Sequence, residues 1–133
     1  MQSFLPQMVG IDEYDLRLWQ SKDASGLQTI FEQNEEFLRR YLPFPQKKQS
    51  LRQTYEWIHS KIAAFYKGED FSFAVIERSS QQIVGGIGFH LRGRYLNERK
   101  ADVGIWLKPQ FCGNGLGRRL VSAFSEWGFD GWP

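Results

Sequence analysis

The sequence has one cysteine, five prolines and no long apolar run. The single thiol, on Cys112, excludes an internal disulfide and any cysteine-rich zinc site. No apolar segment approaches the roughly 18 residues of a membrane-spanning helix, and the first residues lack the basic-then-apolar layout of a signal peptide. The net charge of +2 is too small to indicate nucleic-acid binding. These absences predict a cytoplasmic protein with neither a membrane nor a nucleic acid as partner.

The composition is that of a globular protein. Of the 133 residues, 41% are hydrophobic and 16% aromatic, which excludes disordered and collagen-like chains. This length suits one domain with a substantial core. Since no repeat or linker-like stretch interrupts it, the sequence predicts a single domain over 1–133.

Hydrophobic periodicity predicts seven elements in the order β-α-α-β-β-β-α. Their ranges are 13–19, 23–42, 50–68, 71–77, 82–91, 100–108 and 116–128. A break near Asn34 is expected in the first helix. Ser50 and Gln53 are spaced as a capping box at the start of the second helix, and Gly68 is typical of its C-cap. Gly128 is predicted to end the last helix.

Three glycines stand in the predicted strand 82–91, which pairs with 71–77 as an antiparallel hairpin. Gly85, Gly86 and Gly88 weaken a strand, so each requires a structural reason. We expect either a β-bulge or a close approach by another part of the chain.

A glycine-rich turn between the last strand and the last helix is the segment that carries chemistry. Its glycines, at 113, 115 and 117, leave the amides of the first helical turn open to an anion, which the helix dipole also favours. A Walker A loop is excluded because Gly-Lys-Ser/Thr is missing, and a dinucleotide fingerprint is excluded because Arg118 replaces its last glycine. The alternative is that the glycines only make a tight turn.

Four blocks of sequence, at 37–43, 83–89, 101–107 and 112–117, carry a family resemblance in this order. The chain resembles the GNAT superfamily of acyl-CoA N-acyltransferases, in the branch that includes ribosomal-protein N-terminal acetyltransferases. Gly115 and Gly117 stand at the two defining positions of the superfamily's Arg/Gln-x-x-Gly-x-Gly/Ala signature. Cys112 replaces the usual Arg or Gln, so we expect weakened rather than abolished cofactor affinity. The resemblance implies a mixed α/β (α+β) fold.

The resemblance also implies an N-acetyltransferase that uses acetyl-CoA and no metal. The pyrophosphate would lie on the amides of about 113–118 and the pantetheine arm along 105–107. The implied cofactor-binding residues are Ile105, Trp106, Leu107, Cys112, Gly113, Asn114, Gly115, Leu116, Gly117 and Arg118. The acceptor would be a primary amine, either a protein N-terminus or a small amine, that attacks the thioester directly.

Direct attack requires a base, because an ammonium group has a pKa of about 8 to 10 in solution. Asp102 occupies the position where many family members carry a glutamate, and it is the implied catalytic base. The alternative is a solvated or salt-bridged carboxylate at a strand end, near Arg99 and Lys100. Tyr41, Phe44 and His90 are expected to border the acceptor site, with structural roles as the alternative.

Similar domains continue past the last helix with a further parallel strand, another helix and a final strand pair. We therefore expect an incomplete domain, truncated before the usual fifth strand. The chain would be a fragment, half of a two-chain assembly, or a degenerate member that binds CoA without completing catalysis. The edge of strand 101–107 would then be open, which predicts self-association or a completing C-terminal segment.

Overall fold

Five strands follow one another in chain order across a single antiparallel sheet. The structure is a computed structural model that describes residues 5–40 and 49–132. The strands are β1 (Met8–Ile11), β2 (Tyr14–Leu18), β3 (Asp70–Glu77), β4 (Gln82–His90) and β5 (Asp102–Leu107). The helices are α1 (Ala24–Gln33), α2 (Glu35–Arg39), α3 (Leu51–Lys67) and α4 (Leu116–Gly131). The mixed α/β fold expected from the sequence is confirmed.

Side chains of β3 alternate between two hydrophobic clusters, because successive residues of a strand point to opposite faces of the sheet. Phe73 packs with Phe124 of α4 at a ring-centroid distance of 5.5 Å. Ala74 belongs to the cluster that contains Leu27 of α1 and Ile58 of α3. Both faces of the central strands are therefore covered by helices.

The boundaries of α3 are those that its caps predict. The Ser50 hydroxyl accepts from the Gln53 N–H at 3.2 Å, and the Ser50 N–H donates to Gln53 Oε1 at 2.8 Å. Gly68, at φ +72°, ends the helix in the left-handed region. The break near Asn34 is also confirmed, since this residue leaves helical geometry (φ −130°) between α1 and α2.

Two expectations about elements are wrong. Strand β1 was not predicted: its four residues alternate only between exposed and half-buried, which is a weak hydrophobic pattern. Gly128 does not end the last helix, which continues to Gly131. Just beyond it, the Trp132 indole N–H donates to Leu96 O at 3.2 Å, and this ring is buried.

The glycines of β4 have the two kinds of reason that the sequence predicts. The register shifts by one residue, with Val75 opposite Gly85 but Ile76 opposite Ile83, so the strand bulges at Val84. A Cβ on Gly86 would lie 2.4 Å from Nε1 of Trp106. Only glycine allows this indole to approach β4 so closely.

Candidate active site

The loop between β5 and α4 has a backbone that requires glycine at two positions. After β5 the chain forms a short 3-10 helix, Pro109–Phe111, and then turns into α4 at Leu116. Gly113 has φ +83° and Gly115 has φ +84°, both in the region that side-chain-bearing residues rarely adopt. The space around Gly113 is open, because a Cβ there would meet no atom within 4 Å.

Backbone N–H groups of this loop are available to a ligand. Five of them have no acceptor among the residues that the structure describes: those of Gly113, Asn114, Gly115, Gly117 and Arg118. The Leu116 N–H is different, since it donates to Asn114 Oδ1 at 3.1 Å. Unpaired amides at a helix N-terminus, together with the helix dipole, favour an anion such as a phosphate. We call these five N–H groups the amide cradle.

Two further side chains border the amide cradle. Cys112 is exposed, and its thiol lies 3.5 Å from Lys108 O. The Arg119 guanidinium lies 3.9 Å from where a Cβ on Gly115 would stand, and its Nε is 3.5 Å from Asp12 Oδ2. Arg119 therefore adds positive charge beside the loop, although Asp12 partly balances it.

Strand β5 forms the far edge of the sheet, with no strand beyond it in the described part of the chain. Backbone groups of an antiparallel strand alternate between its two sides. The Lys108 N–H donates to Val84 O at 2.9 Å, and Trp106 is paired with Gly86, so even-numbered residues direct their N–H and C=O groups toward β4. Those of Val103, Ile105 and Leu107 therefore point to the open edge, which leads to the amide cradle.

A cleft of about 660 Å³ lies on the α1–α3 face of the sheet. Part of its floor is made of glycine, because cross-strand neighbours Gly88 and Gly104 are both glycine, with Gly86 beside them. The ring of His90 lies over Gly88 and Gly104, and that of Trp106 lies over Gly86. Aromatic side chains and polar ones share the walls. The main wall residues are Phe31, Trp57, Trp106, Lys61, Asp70 and His90.

Three of the cleft's polar side chains form one hydrogen-bonded group. His90 Nδ1 lies 2.6 Å from Asp70 Oδ1, and Lys61 Nζ lies 2.7 Å from Asp70 Oδ2. Burial raises the pKa of Asp70, but the hydrogen bonds from His90 and Lys61 outweigh it, so this pKa is lowered. The Asp70 carboxylate is therefore held in its charged form.

The sequence singles out His90 but not Asp70 or Lys61. A count from the hairpin turn, where Glu77 is opposite Gln82, places residue 70 opposite residue 89, and only the bulge at Val84 brings Asp70 opposite His90. Lys61 comes from α3, and no local pattern indicates its contact with Asp70.

Asp102 lies at the start of β5, opposite His90 in the register. Its half-exposed carboxylate pairs with Arg92 Nε at 2.6 Å and with Arg94 Nη2 at 3.3 Å. The hydrogen bond from Arg94 has the largest effect and lowers the pKa of Asp102; desolvation opposes it, and Arg92 adds to the lowering. A catalytic role for Asp102 stays a prediction. Tyr41 and Phe44 lie outside the described residues.

Comparisons with known proteins agree with this architecture. The family model described as an acetyltransferase (GNAT) domain matches residues 15–132. A curated relative, the uncharacterized N-acetyltransferase YoaA of Bacillus subtilis (strain 168), is 24% identical over 118 residues, which are 89% of this chain. This chain spans 64% of the length of that relative.

Two solved structures share the fold at low identity. A ribosomal-protein-S5-alanine acetyltransferase from Vibrio fischeri has a TM-score of 0.76 and 21% identity, covering 92% of this chain and 67% of its own. The microcin C7 self-immunity acetyltransferase MccE, in complex with acetyl-CoA and AMP, has a TM-score of 0.81 and 19% identity, covering 98% and 71%.

None of the helices in 5–40 and 49–132 is long and apolar enough to cross a membrane. Within the same ranges, no three His, Cys, Asp or Glu side chains are grouped so that they could hold a metal ion. The match to the family model covers most of the chain and the fold agrees with it, so this chain belongs to the GNAT acetyltransferase domain family.

Proposed function

We propose that this domain binds acetyl-CoA and transfers its acetyl group to a primary amine. The amide cradle carries the proposal: five N–H groups without a protein acceptor, at a loop that needs left-handed glycines, beside an open strand edge. A diphosphate satisfies such donors well, since it offers several charged acceptor oxygens. The similarity in fold to MccE, solved with acetyl-CoA bound, supports this ligand.

The edge of β5 would hold the rest of the cofactor. Ile105 and Leu107 direct their N–H and C=O groups outward, and the amides of a pantetheine arm can pair with them like an added strand. Trp106, between them, turns its buried ring to the cleft side of the sheet. The cofactor would thus run from the amide cradle along β5, with its acetyl group beside the cleft.

The cleft would receive the acceptor amine. Its aromatic walls suit an extended apolar or peptide-like group, while His90 and Asp70 lie at its polar end. A protein N-terminus is the acceptor class that we favour, because the relative from Vibrio fischeri is named as a ribosomal-protein alanine acetyltransferase. Direct attack by the amine needs no acyl-enzyme, and it needs a base in the cleft.

A second candidate function is cofactor binding without complete catalysis, either alone or as one half of a two-chain assembly. The observation that favours it is the edge of β5, on which no strand pairs within the described residues. A partner or further segment that pairs with this edge would then complete the site.

A thermal-shift experiment tests the cofactor part of the proposal. Acetyl-CoA at 100 times its Kd should stabilise the native domain by about 2.7 kcal/mol and raise Tm by several degrees. S-acetyl-pantetheine, which lacks the diphosphate, should raise Tm by a clearly smaller amount at the same concentration as acetyl-CoA. Equal shifts from the two ligands would show that the amide cradle does not hold the diphosphate.

A thiol-release assay then distinguishes transfer from binding alone. We would incubate the protein with acetyl-CoA and either short peptides with free N-termini or small polyamines. CoA release that depends on the amine supports transfer. A Tm shift without CoA release from any amine favours the second candidate function.

A further inference from the structure

We propose that His90, oriented by Asp70, is the base that takes the proton from the acceptor ammonium. This assignment rests on the proposed acetyl transfer. It goes beyond an expectation that His90 borders the acceptor, because it gives each nitrogen of the ring a separate task.

The first observation is that Nδ1 of His90 is hydrogen-bonded to Asp70. His90 Nδ1 lies 2.6 Å from Asp70 Oδ1, and a carboxylate can only accept in that contact. Nδ1 must therefore carry the proton in the neutral ring, which leaves the lone pair on Nε2. Lys61 Nζ binds the other oxygen of Asp70 at 2.7 Å, so this carboxylate is fixed from two sides.

The second observation is the position of Nε2. The imidazole lies over the glycine floor of the cleft: its Cε1 is 3.1 Å from where a Cβ on Gly88 would stand, and its Nε2 is 3.3 Å from the same point on Gly104. Nε2 therefore faces β5, the strand proposed to hold the cofactor. It has no hydrogen-bond partner in the described part of the chain.

Charged side chains surround the ring on several sides. They come from β3, from α3 and the turn after it, from the segment after β4, and from β5: Asp70, Lys61, Glu69, Arg92, Arg94 and Asp102. Asp70 and Asp102 each pair with two basic groups, and both have lowered pKa values. These two carboxylates are thus poor proton acceptors, whereas the Nε2 lone pair of the neutral His90 ring can accept a proton.

The acceptor enters as an ammonium and gives one proton to Nε2, which creates an imidazolium whose Nδ1–H stays bonded to Asp70. The neutral amine nitrogen then uses its lone pair to attack the thioester carbonyl carbon, and the carbon–sulfur bond breaks. A second proton leaves the nitrogen and is taken up by the CoA thiolate. The imidazolium returns its proton to water, so the net reaction releases one proton.

The test compares His90→Gln with His59→Gln, a control on the exposed side of α3, where His59 contacts Ser21. We would measure kcat/KM against pH for acetyl transfer to a primary amine, and the Tm shift by acetyl-CoA. In H90Q, kcat/KM should fall by about 10²- to 10⁴-fold, the range for loss of a general base. The decrease of kcat/KM at acidic pH should disappear in H90Q, while acetyl-CoA should still raise its Tm. H59Q should match the wild type in both measurements.

Other outcomes overturn the assignment. Wild-type kcat/KM and pH profile in H90Q would do so, and so would a loss confined to Asp102→Asn. No CoA release by the wild-type protein with any amine would refute the proposed transfer itself, which separates the two failures.

A readout independent of activity concerns the positioning residue Asp70. Nitrogen-15 NMR of the neutral His90 ring should show the proton on Nδ1 in the wild type, and Asp70→Asn should weaken this preference. In the acetyl-transfer assay, D70N should change how kcat/KM falls at acidic pH. A wild-type ring that carries its proton on Nε2 would overturn the assignment.

Discussion

Gly128 of α4 lies so close to Phe89 of β4 that a Cβ on the glycine would stand 2.2 Å from Cζ of the ring. The ring is held there by stacking on Phe124, at a centroid distance of 4.2 Å. The absence of a side chain at Gly128 thus sets how closely α4 packs on the sheet. It also explains why this glycine stands inside a helix.

Gly128→Ala should destabilise the domain even though alanine is the better helix former. Helix propensity favours alanine by about 1 kcal/mol. Overpacking a filled core costs about 1 to 3 kcal/mol or more, and the Phe89 ring is fully buried. We expect a net loss of about 1 to 2 kcal/mol in the free energy of unfolding, measured by urea denaturation.

Gly26→Ala is the matched control in α1. A Cβ there would meet Cδ1 of Ile83 at 3.5 Å, which is an ordinary contact. Alanine should therefore stabilise the domain by about 0.4 to 1 kcal/mol. The two substitutions should change the free energy of unfolding in opposite directions. Stabilisation by both would show that α4 packs less tightly on the sheet than the close approach of Gly128 to Phe89 indicates.

The same glycine shows where prediction from sequence fails. A glycine after a stretch of apolar periodicity usually marks the end of a helix, and nothing near Gly128 in the chain reveals that Phe89 occupies the adjacent space. The boundaries of α3 were predictable because Ser50, Gln53 and Gly68 determine them through local hydrogen bonds and backbone conformation.

The candidate site likewise has one part that the sequence predicts and one part that it does not. The amide cradle is encoded in six consecutive residues, 113–118, so its glycine pattern could be read directly. The cleft depends on pairing between distant elements, since Asp70, Lys61 and His90 meet only after the hairpin register and the packing of α3 are set. A register count from the hairpin turn places residue 70 opposite residue 89, because the count misses the bulge at Val84 that brings His90 opposite Asp70.

Gly113→Ala should weaken acetyl-CoA binding. At φ +83°, a side chain strains the backbone by about 1 to 2 kcal/mol, so the loop is expected to shift to relieve it. The N–H groups of the amide cradle would then change position. The Tm shift induced by acetyl-CoA should fall to less than half of the wild-type value.

Gly93→Ala separates this effect from general strain. Gly93 has φ +82° and, like Gly113, open space around it, but it lies in the loop after β4 and lines the cleft, and it is not part of the amide cradle. Both variants should lose similar stability without ligand. Only G113A should lose the ligand-induced shift, and an equal loss in G93A would contradict a role of the cradle in binding.

Ser50→Ala should destabilise α3 by about 1 kcal/mol, because the substitution removes an N-cap acceptor. Gln53 would lose the partner of its N–H, which the Ser50 hydroxyl now accepts at 3.2 Å. Ser60→Ala in the same helix is the control: the Ser60 hydroxyl donates to Trp57 O within the helix, and its loss should change stability by only a few tenths of a kcal/mol. Urea denaturation of both variants measures the difference, and equal losses would rule out a capping role.

Asp70→Asn should reduce stability in a pH-dependent way. The pKa of Asp70 is lowered in the folded state, so its contribution is fully present above the unfolded carboxyl value of about 3.9 and is lost as pH falls through the lower folded value. Near neutral pH we expect D70N to lose about 1.5 to 3 kcal/mol, the range for a hydrogen bond to a charged group. The difference from wild type should shrink below about pH 4, as the wild-type carboxyl becomes protonated.

Asp102→Asn gives the comparison that isolates burial. Its carboxylate also pairs with two basic groups and has a lowered pKa, but the side chain is 51% exposed, against 18% for Asp70. Exposed ion pairs contribute little because water screens both charges. D102N should therefore unfold at nearly the wild-type urea concentration at every pH. If D102N instead lost as much stability as D70N, burial would not explain the contribution of Asp70 to the stability of the domain.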